Sequence, residues 1–312
     1  LPLSGSGIRG LRFLKELKKG KISELYVNDI KDKFELQFLE NAKLSDVRID
    51  KFKIYNQDAN LFMLGHMGLD HIDLDPFGTP NPFLAMAVSR ISRNDILAIT
   101  ATDTAALTGT YPKVTKRKYW AKSLRNYMMH ENGLRILIRK VQLQGVQFEK
   151  ALIPILAYHK DHYFRVYFRS EKGKEKCDEL IKKHQYLLYC PKCLNFTNSN
   201  CNCGNCDCGG KFEIAGPLWA GNLFDSKLIN KMAKNNPFPE EQKFLDILKE
   251  ESKLDIFGFY DLHIIAKKYK QDPKKNEVMR KLKAVSTHFS LTGFKTKKGI
   301  KEIISLLNEN KK

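Results

Sequence analysis

Ile72-Asp73-Leu74-Asp75-Pro76-Phe77-Gly78-Thr79-Pro80 decides how the rest of the chain is read. Apolar and acidic residues alternate as far as Asp75, and a proline, an aromatic, a glycine and a second proline follow. The pattern predicts a buried strand ending abruptly in a rigid loop, with Pro76 and Pro80 restricting the backbone on either side of the turn. A strand end fixes its last side chain, which makes this a place for chemistry. Phe77, projecting from a loop, is the residue that packing explains least. Taken alone the stretch also fits a purely structural account, in which Asp75 caps the following helix and Phe77 folds back into the core.

Upstream, the same order of strand and terminal acid recurs. Leu25 to Ile30 reads as a short strand ending at Asp29, and Phe52-Lys53-Ile54-Tyr55 as another leading to Asp58. The run Asp32 to Leu44 between them, with Phe34, Phe38 and Leu39 on one side, fits a helix. Leu84, Ala87, Val88 and Ile91 mark a helix after Pro80, and Ile96 to Thr100 a further buried strand. Strand, helix, strand, with an acid at each strand end, predicts an α/β fold. Its sheet is open and mainly parallel, with ligands at the carboxyl ends. Ahead of these, Ser4-Gly5-Ser6-Gly7-Ile8-Arg9-Gly10 reads as the glycine-rich turn of a nucleotide-binding unit, and Asp29 lies about 20 residues beyond it, where an acid grips ribose hydroxyls. No strand precedes that turn. The expectation is that the first strand is truncated, or is supplied by a separate polypeptide.

Beyond Thr100 a long helix is expected from Lys122 to Phe148. Two alternating strands within Ile153 to Arg169, joined through His159-Lys160-Asp161-His162, make an antiparallel pair that ends the sheet. A polar hairpin turn explains His159 and His162 better than a metal pair does.

Lys and Arg number 54 against 35 Asp and Glu, a net charge of +19, and 42% of residues are hydrophobic. Ordinary cores are therefore affordable, and an anionic partner is expected, with nucleic acid first among them. No apolar run approaches the ~18 residues that span a bilayer, so no membrane partner is expected and the reading is cytoplasmic. Six of the seven cysteines, Cys190, Cys193, Cys201, Cys203, Cys206 and Cys208, sit together, and Cys177 stands apart. Cys190-Pro191-Lys192-Cys193 has zinc-knuckle spacing. The second pair lies among the other four: Cys203 and Cys206 have the usual gap, and the choice stays open. A site of four thiolates has no open position, so the zinc is structural. Lysines and arginines from Lys267 to Lys298 read as a surface for RNA phosphates, with His288 and Phe289 beside Lys295 as candidate contacts.

The glycine-rich turn, Asn28-Asp29-Ile30, Asp58-Ala59-Asn60 and Asp75 to Pro80 occur in the order of the S-adenosylmethionine-dependent class I methyltransferases, which have a Rossmann-like sheet. The whole set resembles the tRNA guanine-N2 dimethyltransferase family, which modifies the guanosine at tRNA position 26. So do Thr102 to Leu107, His130-Glu131-Asn132-Gly133-Leu134-Arg135, Ala215-Gly216-Pro217-Leu218-Trp219 and Ser286-Thr287-His288-Phe289. The resemblance implies that Arg9, Asp29, Asp58 and Ala59 hold S-adenosylmethionine. Asp75 and the Pro76 carbonyl would face the guanine, Phe77 would stack on the flipped base, and Cys208 before Gly209-Gly210 would be the last zinc ligand. It implies a methyltransferase domain over 1–175, a zinc-binding segment over 176–218 and a smaller basic α+β tRNA-binding domain over 219–312. Two other readings are a zinc protein that binds tRNA without turnover and an amino-methyltransferase acting on adenine in DNA. The single proline before Phe77 disfavours the latter, because such enzymes carry Pro-Pro.

Overall fold

Helix and strand alternate from the first glycine turn onward in the computed structural model, which describes residues 1–48, 50–254 and 256–309. The chain forms two units that interleave in sequence. One comprises Leu1–Thr102, Leu143–Ile153 and Tyr167–Cys177, and the other Asp103–Gln142, Pro154–Val166 and Asp178–Lys312.

The first unit begins with α1 (Ile8–Glu16), β1 (Leu25–Asn28), α2 (Phe34–Leu44), β2 (Phe52–Tyr55) and α3 (Ala59–Leu64). It continues through β3 (Leu69–Leu74), α4 (Leu84–Arg90) and β4 (Ile91–Ala101). β1 and β2 are parallel, with Val27 opposite Ile54. Leu11, Val27, Phe34, Phe38 and Ala42 are buried together, with Phe52 and Ile54 packed against them. Burying Leu11, Val27, Phe34 and Phe38 contributes about 1.5–3 kcal/mol of hydrophobic stabilisation each. Gly7, at φ 77°, turns the chain into α1. A Cβ there would lie 2.2 Å from Phe38 Cδ2, so the turn can rest on α2 only without a side chain.

Next come α5 (Thr104–Leu107), α6 (Pro112–Tyr119), α7 (Met129–Val146), β5 (Lys150–Lys160), β6 (Tyr163–Lys172) and α8 (Lys174–Ile181). β3 and β4 pair in parallel, Leu74 opposite Ile99, within a four-stranded sheet of order β3-β4-β6-β5. Asp161 and His162 alone join β5 to β6, a link that only an antiparallel pair allows. The expected hairpin is therefore present, with His159 inside β5 and stacked on His130 at 4.0 Å.

Two expectations are corrected. The helix expected from Lys122 begins at Met129, because Lys122 exchanges backbone hydrogen bonds with Gly216 and the Asn126 side chain accepts from Met128 N, turning the chain just before α7. The single open sheet is divided into the β1–β2 pair and the four-stranded sheet. Leu1 holds one parallel-ladder position beside Val27, donating to Tyr26 O (2.8 Å) and accepting from Asn28 N (3.0 Å). A cleft of about 620 Å³, lined by Leu1, Pro2, Leu25, Tyr26, His71 and Ile72, lies along the amino-terminal parts of β1 and β3.

In the second unit β7 (His184–Tyr189), β8 (Phe196–Ser199) and β9 (Glu213–Trp219) form an antiparallel sheet of order β8-β7-β9. α9 (Ser226–Lys234), α10 (Gln242–Glu251), β10 (Tyr260–Asp261), α11 (Leu262–Tyr269), α12 (Lys275–Lys281), β11 (Val285–Thr287), β12 (Ser290–Lys295) and α13 (Ile300–Glu309) follow. The last sheet has order β10-β12-β11. Among the described residues no helix is long and apolar enough to cross a membrane.

Candidate functional site

The three acids sit where their strands end. Asp29 follows β1, Asp58 follows β2 and caps α3, and Asp75 follows β3. In parallel strands of an α/β sheet these are the carboxyl ends at which ligands bind.

Asp29 is buried and ties the glycine-rich turn to β1. Its Oδ2 accepts from Gly5 N at 2.7 Å and its Oδ1 from Lys31 N at 3.1 Å. A carboxylate has about four acceptor positions, so it retains capacity for a diol. Asp58 Oδ1 accepts from Asn60 N (2.8 Å) and Leu61 N (3.1 Å), which caps α3 and buries Ala59 at its start. One oxygen holds the helix, leaving Oδ2 for a ligand donor. Asn28 links these loops, donating to Pro2 O and Gln57 O and accepting from Gln57 N.

Around Asp75 the structural account fails on both counts. The helical turn after Pro80 has no side-chain cap, so Asp75 does not serve it. Phe77 is 97% exposed and does not fold back. Pro76 and Pro80 are buried on either side, and Gly78 is clamped by Thr102 through Gly78 N to Oγ1 (2.7 Å) and Thr102 N to Gly78 O (2.9 Å). The aromatic ring is thus carried on a fixed loop and offered to solvent, where apolar exposure carries a hydration cost unless something stacks on it.

Arg9 meets Asp75 rather than standing apart from it. Its Nη2 lies 2.7 Å from Asp75 Oδ2, and its Nη1 3.1 Å from Asp73 Oδ2. Asp73 is almost fully buried, and the sequence reading gave it no role. The available signal was an acid between Ile72 and Leu74 in the buried second half of its strand, since a buried carboxylate needs a partner. The Thr102 clamp likewise carried no local signal, because its partner lies 24 residues away.

In the second unit Cys190, Cys193, Cys206 and Cys208 bring their four sulfurs within 4.8 Å of one another. Cys190–Cys208 and Cys193–Cys206 are each 3.5 Å apart. Thiolates ~2.3 Å from a tetrahedral ion stand about 3.8 Å apart, so the spacing is compatible with a zinc centre. Gly210 is required by the same cluster: a Cβ there would lie 2.8 Å from Cys190 Sγ and 3.3 Å from Cys208 Sγ. Cys203, a candidate from its gap to Cys206, is exposed and outside the cluster, as is Cys201. The chain turns at Asp207 and Cys208, where Gly209 N donates to Cys206 O and Cys206 N to Gly210 O, and this turn carries Cys206 and Cys208 into the cluster.

The expected RNA contacts at His288, Phe289 and Lys295 are corrected. The His288 side chain is fully buried, Phe289 is 7% exposed, and Lys295 is buried between Glu131 (3.4 Å) and Glu251 (3.2 Å). His288 Nδ1 is 2.7 Å from Glu251 Oε2, and Thr287 Oγ1 donates to Glu251 Oε1. Arg135 pairs with Glu131 at 2.8 Å and donates to the carbonyls of Trp219 and Gly221. Burial acts to raise the Glu251 carboxyl, but the neighbouring His288 and Lys295 outweigh it and bring it down to about 2. Glu131 is also lowered, with burial opposed by Lys295 and Arg135. These buried ion pairs and hydrogen bonds tie the second unit together from inside.

Residues 2–308 match the family described as N2,N2-dimethylguanosine tRNA methyltransferase. The tRNA (guanine(26)-N(2)/guanine(27)-N(2))-dimethyltransferase of Aquifex aeolicus is 40% identical over 99% of this chain and 81% of its own length. The tRNA (guanine(26)-N(2))-dimethyltransferase of Methanothermobacter thermautotrophicus is 35% identical over 97% and 83%. Among solved structures, Trm1 from Pyrococcus horikoshii in complex with S-adenosyl-L-methionine superposes with a TM-score of 0.88 and 33% identity, covering 97% of this chain and 86% of that one. That neighbour and the mixed α/β sheets fit a class I methyltransferase. The comparisons lend no support to a separate polypeptide supplying a preceding segment.

Proposed function

The chain belongs to the N2,N2-dimethylguanosine tRNA methyltransferase family, and we propose that it transfers methyl groups from S-adenosylmethionine to the exocyclic N2 of guanosine 26 in tRNA. The observation that carries this reading is the loop Asp75 to Gly78. It pairs an oriented carboxylate with an exposed aromatic at a carboxyl strand end.

The residues fit the cofactor chemically. Asp29 is an acceptor for the ribose diol, Asp58 for the adenine amine, Ala59 offers its backbone, and Arg9 keeps donors of its five-donor fork for a carboxylate. When bound, S-adenosylmethionine supplies an electrophilic methyl on a sulfonium. The work of the chain lies on the other side of the reaction. The lone pair of guanine N2 is delocalised into the ring, and Asp75 Oδ1 accepts an N2–H, drawing density onto the nitrogen as it becomes tetrahedral. Arg9, fixed by Asp73, occupies Asp75 Oδ2 and so determines which oxygen faces the base. The Pro76 carbonyl accepts the second N2–H, and Phe77 stacks on the flipped guanine. Cys190, Cys193, Cys206 and Cys208 would hold Zn²⁺, which would join the β7–β8 turn to the loop before β9 in a structural role, because four thiolates leave no open position. In sequence, 1–175 carries methyl transfer, 176–218 the zinc and 219–312 the basic tRNA-binding part.

Incubation with tritiated methyl donor and either unmodified tRNA or duplex DNA tests the substrate class. Label in tRNA guanosine is expected. Label in DNA adenine would overturn the reading, and label in neither would leave a tRNA-binding protein without turnover.

A further inference from the structure

From residue 104 to residue 130 the chain carries no carboxylate, yet it holds Lys113, Lys116, Arg117, Lys118, Lys122 and Arg125. Four of these are on α6. Lys118 lies 3.5 Å from Asp103 Oδ2. The other five are exposed, and among the described residues none of them stands within ion-pair distance of a carboxylate. On a chain already at +19, a run of one sign adds self-repulsion that a mixed surface would avoid.

Two exposed aromatics bracket this helix. Tyr111 precedes it and is 59% exposed, and Trp120 ends it and is 49% exposed. Trp120 sits in the left-handed region, φ 54° and ψ 37°, where a helix end ordinarily places glycine. A side chain there costs roughly 1–2 kcal/mol. The ring is also pinned: Lys140 Nζ lies 3.0 Å from its centroid, and Arg139 Nη1 donates to Trp120 O at 3.4 Å. Lys140 itself is buried, so the strained backbone holds a half-open indole over a fixed cation. Strain kept at an exposed site points to use.

We propose that α6 and its flanks are an RNA-contacting surface, on which Lys113, Lys116, Arg117, Lys122 and Arg125 neutralise phosphates and Trp120 stacks on an unpaired base or ribose. The RNA is the tRNA of the reading above, on which the inference rests for its ligand. A bilayer does not fit, because Thr115 and Tyr119 are buried, Val114 is half-buried and the helix offers no apolar stripe to insert. A rigid aromatic beside a row of free cations is instead what single-stranded elements of folded RNA engage.

The test is filter binding of unmodified tRNA to the full chain over a salt series. Wild-type binding itself reports the tRNA reading, and the ratio of variant to wild type reports α6. The combined Lys113→Gln, Lys116→Gln, Arg117→Gln variant changes only exposed side chains. Its affinity should fall 10-fold or more, and the slope of log K against log salt should become shallower by about 2–3, at 0.7–0.9 per phosphate contact. Trp120→Ala should weaken binding at least about 5-fold, with Trp120→Phe restoring most of it. Calorimetric binding of S-adenosylmethionine should be unchanged in all three. Wild-type affinity and salt slope in the lysine–arginine variant would overturn the proposal and make α6 a solvated face.

Discussion

Asp75 has one oxygen engaged and one available, and the difference is made by Arg9. Under the proposed roles Asp75→Ala removes the acceptor for N2–H, and methyl transfer should drop by about 10²–10⁴-fold. S-adenosylmethionine binding by calorimetry should persist; if it is lost, Asp75 is a cofactor ligand instead. Phe77 allows a cleaner separation, because a residue 97% exposed contributes little to the fold. Phe77→Ala should leave the melting curve within ~0.5 kcal/mol of wild type. The same change should lower kcat/KM for tRNA by the 1–3 kcal/mol of a lost base stack, about 5- to 150-fold. An unchanged kcat/KM would return Phe77 to the role of a solvent-exposed loop residue. At this scale the sequence was legible where an acid ends a strand, as at Asp29, Asp58 and Asp75. It was silent where side chains pair across a long stretch of chain, as Arg9 and Asp73 do, 64 residues apart.

Strands and helices were read from alternation and from apolar spacing, and β2 was found at the expected residues because Phe52 to Tyr55 has both a clear period and clear ends. The start of α7 was missed because the chain from Lys122 is captured by Gly216, a pairing no local window contains. Cysteine spacing likewise offered Cys203, while the loop geometry around Gly210 chose Cys206 and Cys208. Cys206→Ser should therefore reduce bound zinc, measured by plasma mass spectrometry. It should cost at least about 3 kcal/mol, on the order of 10 °C in melting temperature. Cys203→Ser should change neither quantity; equal losses from both would contradict the four-sulfur assignment. The buried network makes a further prediction about acid. Glu251 is ionised in the fold down to about pH 2, against an ordinary value of 4.5. The unfolded chain takes up a proton below pH 4.5 that the folded chain refuses, so this contribution is complete above 4.5 and is lost as pH falls towards 2. Denaturant titrations across that window should show stability falling with acid in wild type and a flatter dependence in Glu251→Gln. An identical slope in the two would remove Glu251 from the account.

For the molecule as a whole, one chain combines a family-wide match over residues 2–308, acids at successive carboxyl strand ends, a four-cysteine centre and a charge of +19. Composition already pointed to a polyanion, and motif order to methyl transfer. What composition could not distribute was the charge. Lys295, inside the basic C-terminal run, is paired with Glu131 and Glu251, whereas Lys113, Lys116 and Arg117 of α6 are exposed. The central claim concerns the atom that receives the methyl group. Unmodified tRNA incubated with the protein and S-adenosylmethionine, digested and analysed by nucleoside and fragment mass spectrometry, addresses that atom directly. The account predicts N2-methylated guanosine in the fragment containing position 26, absent when Asp75→Ala replaces wild type. Methylation confined to another base, or equal methylation by the Asp75→Ala variant, would contradict it.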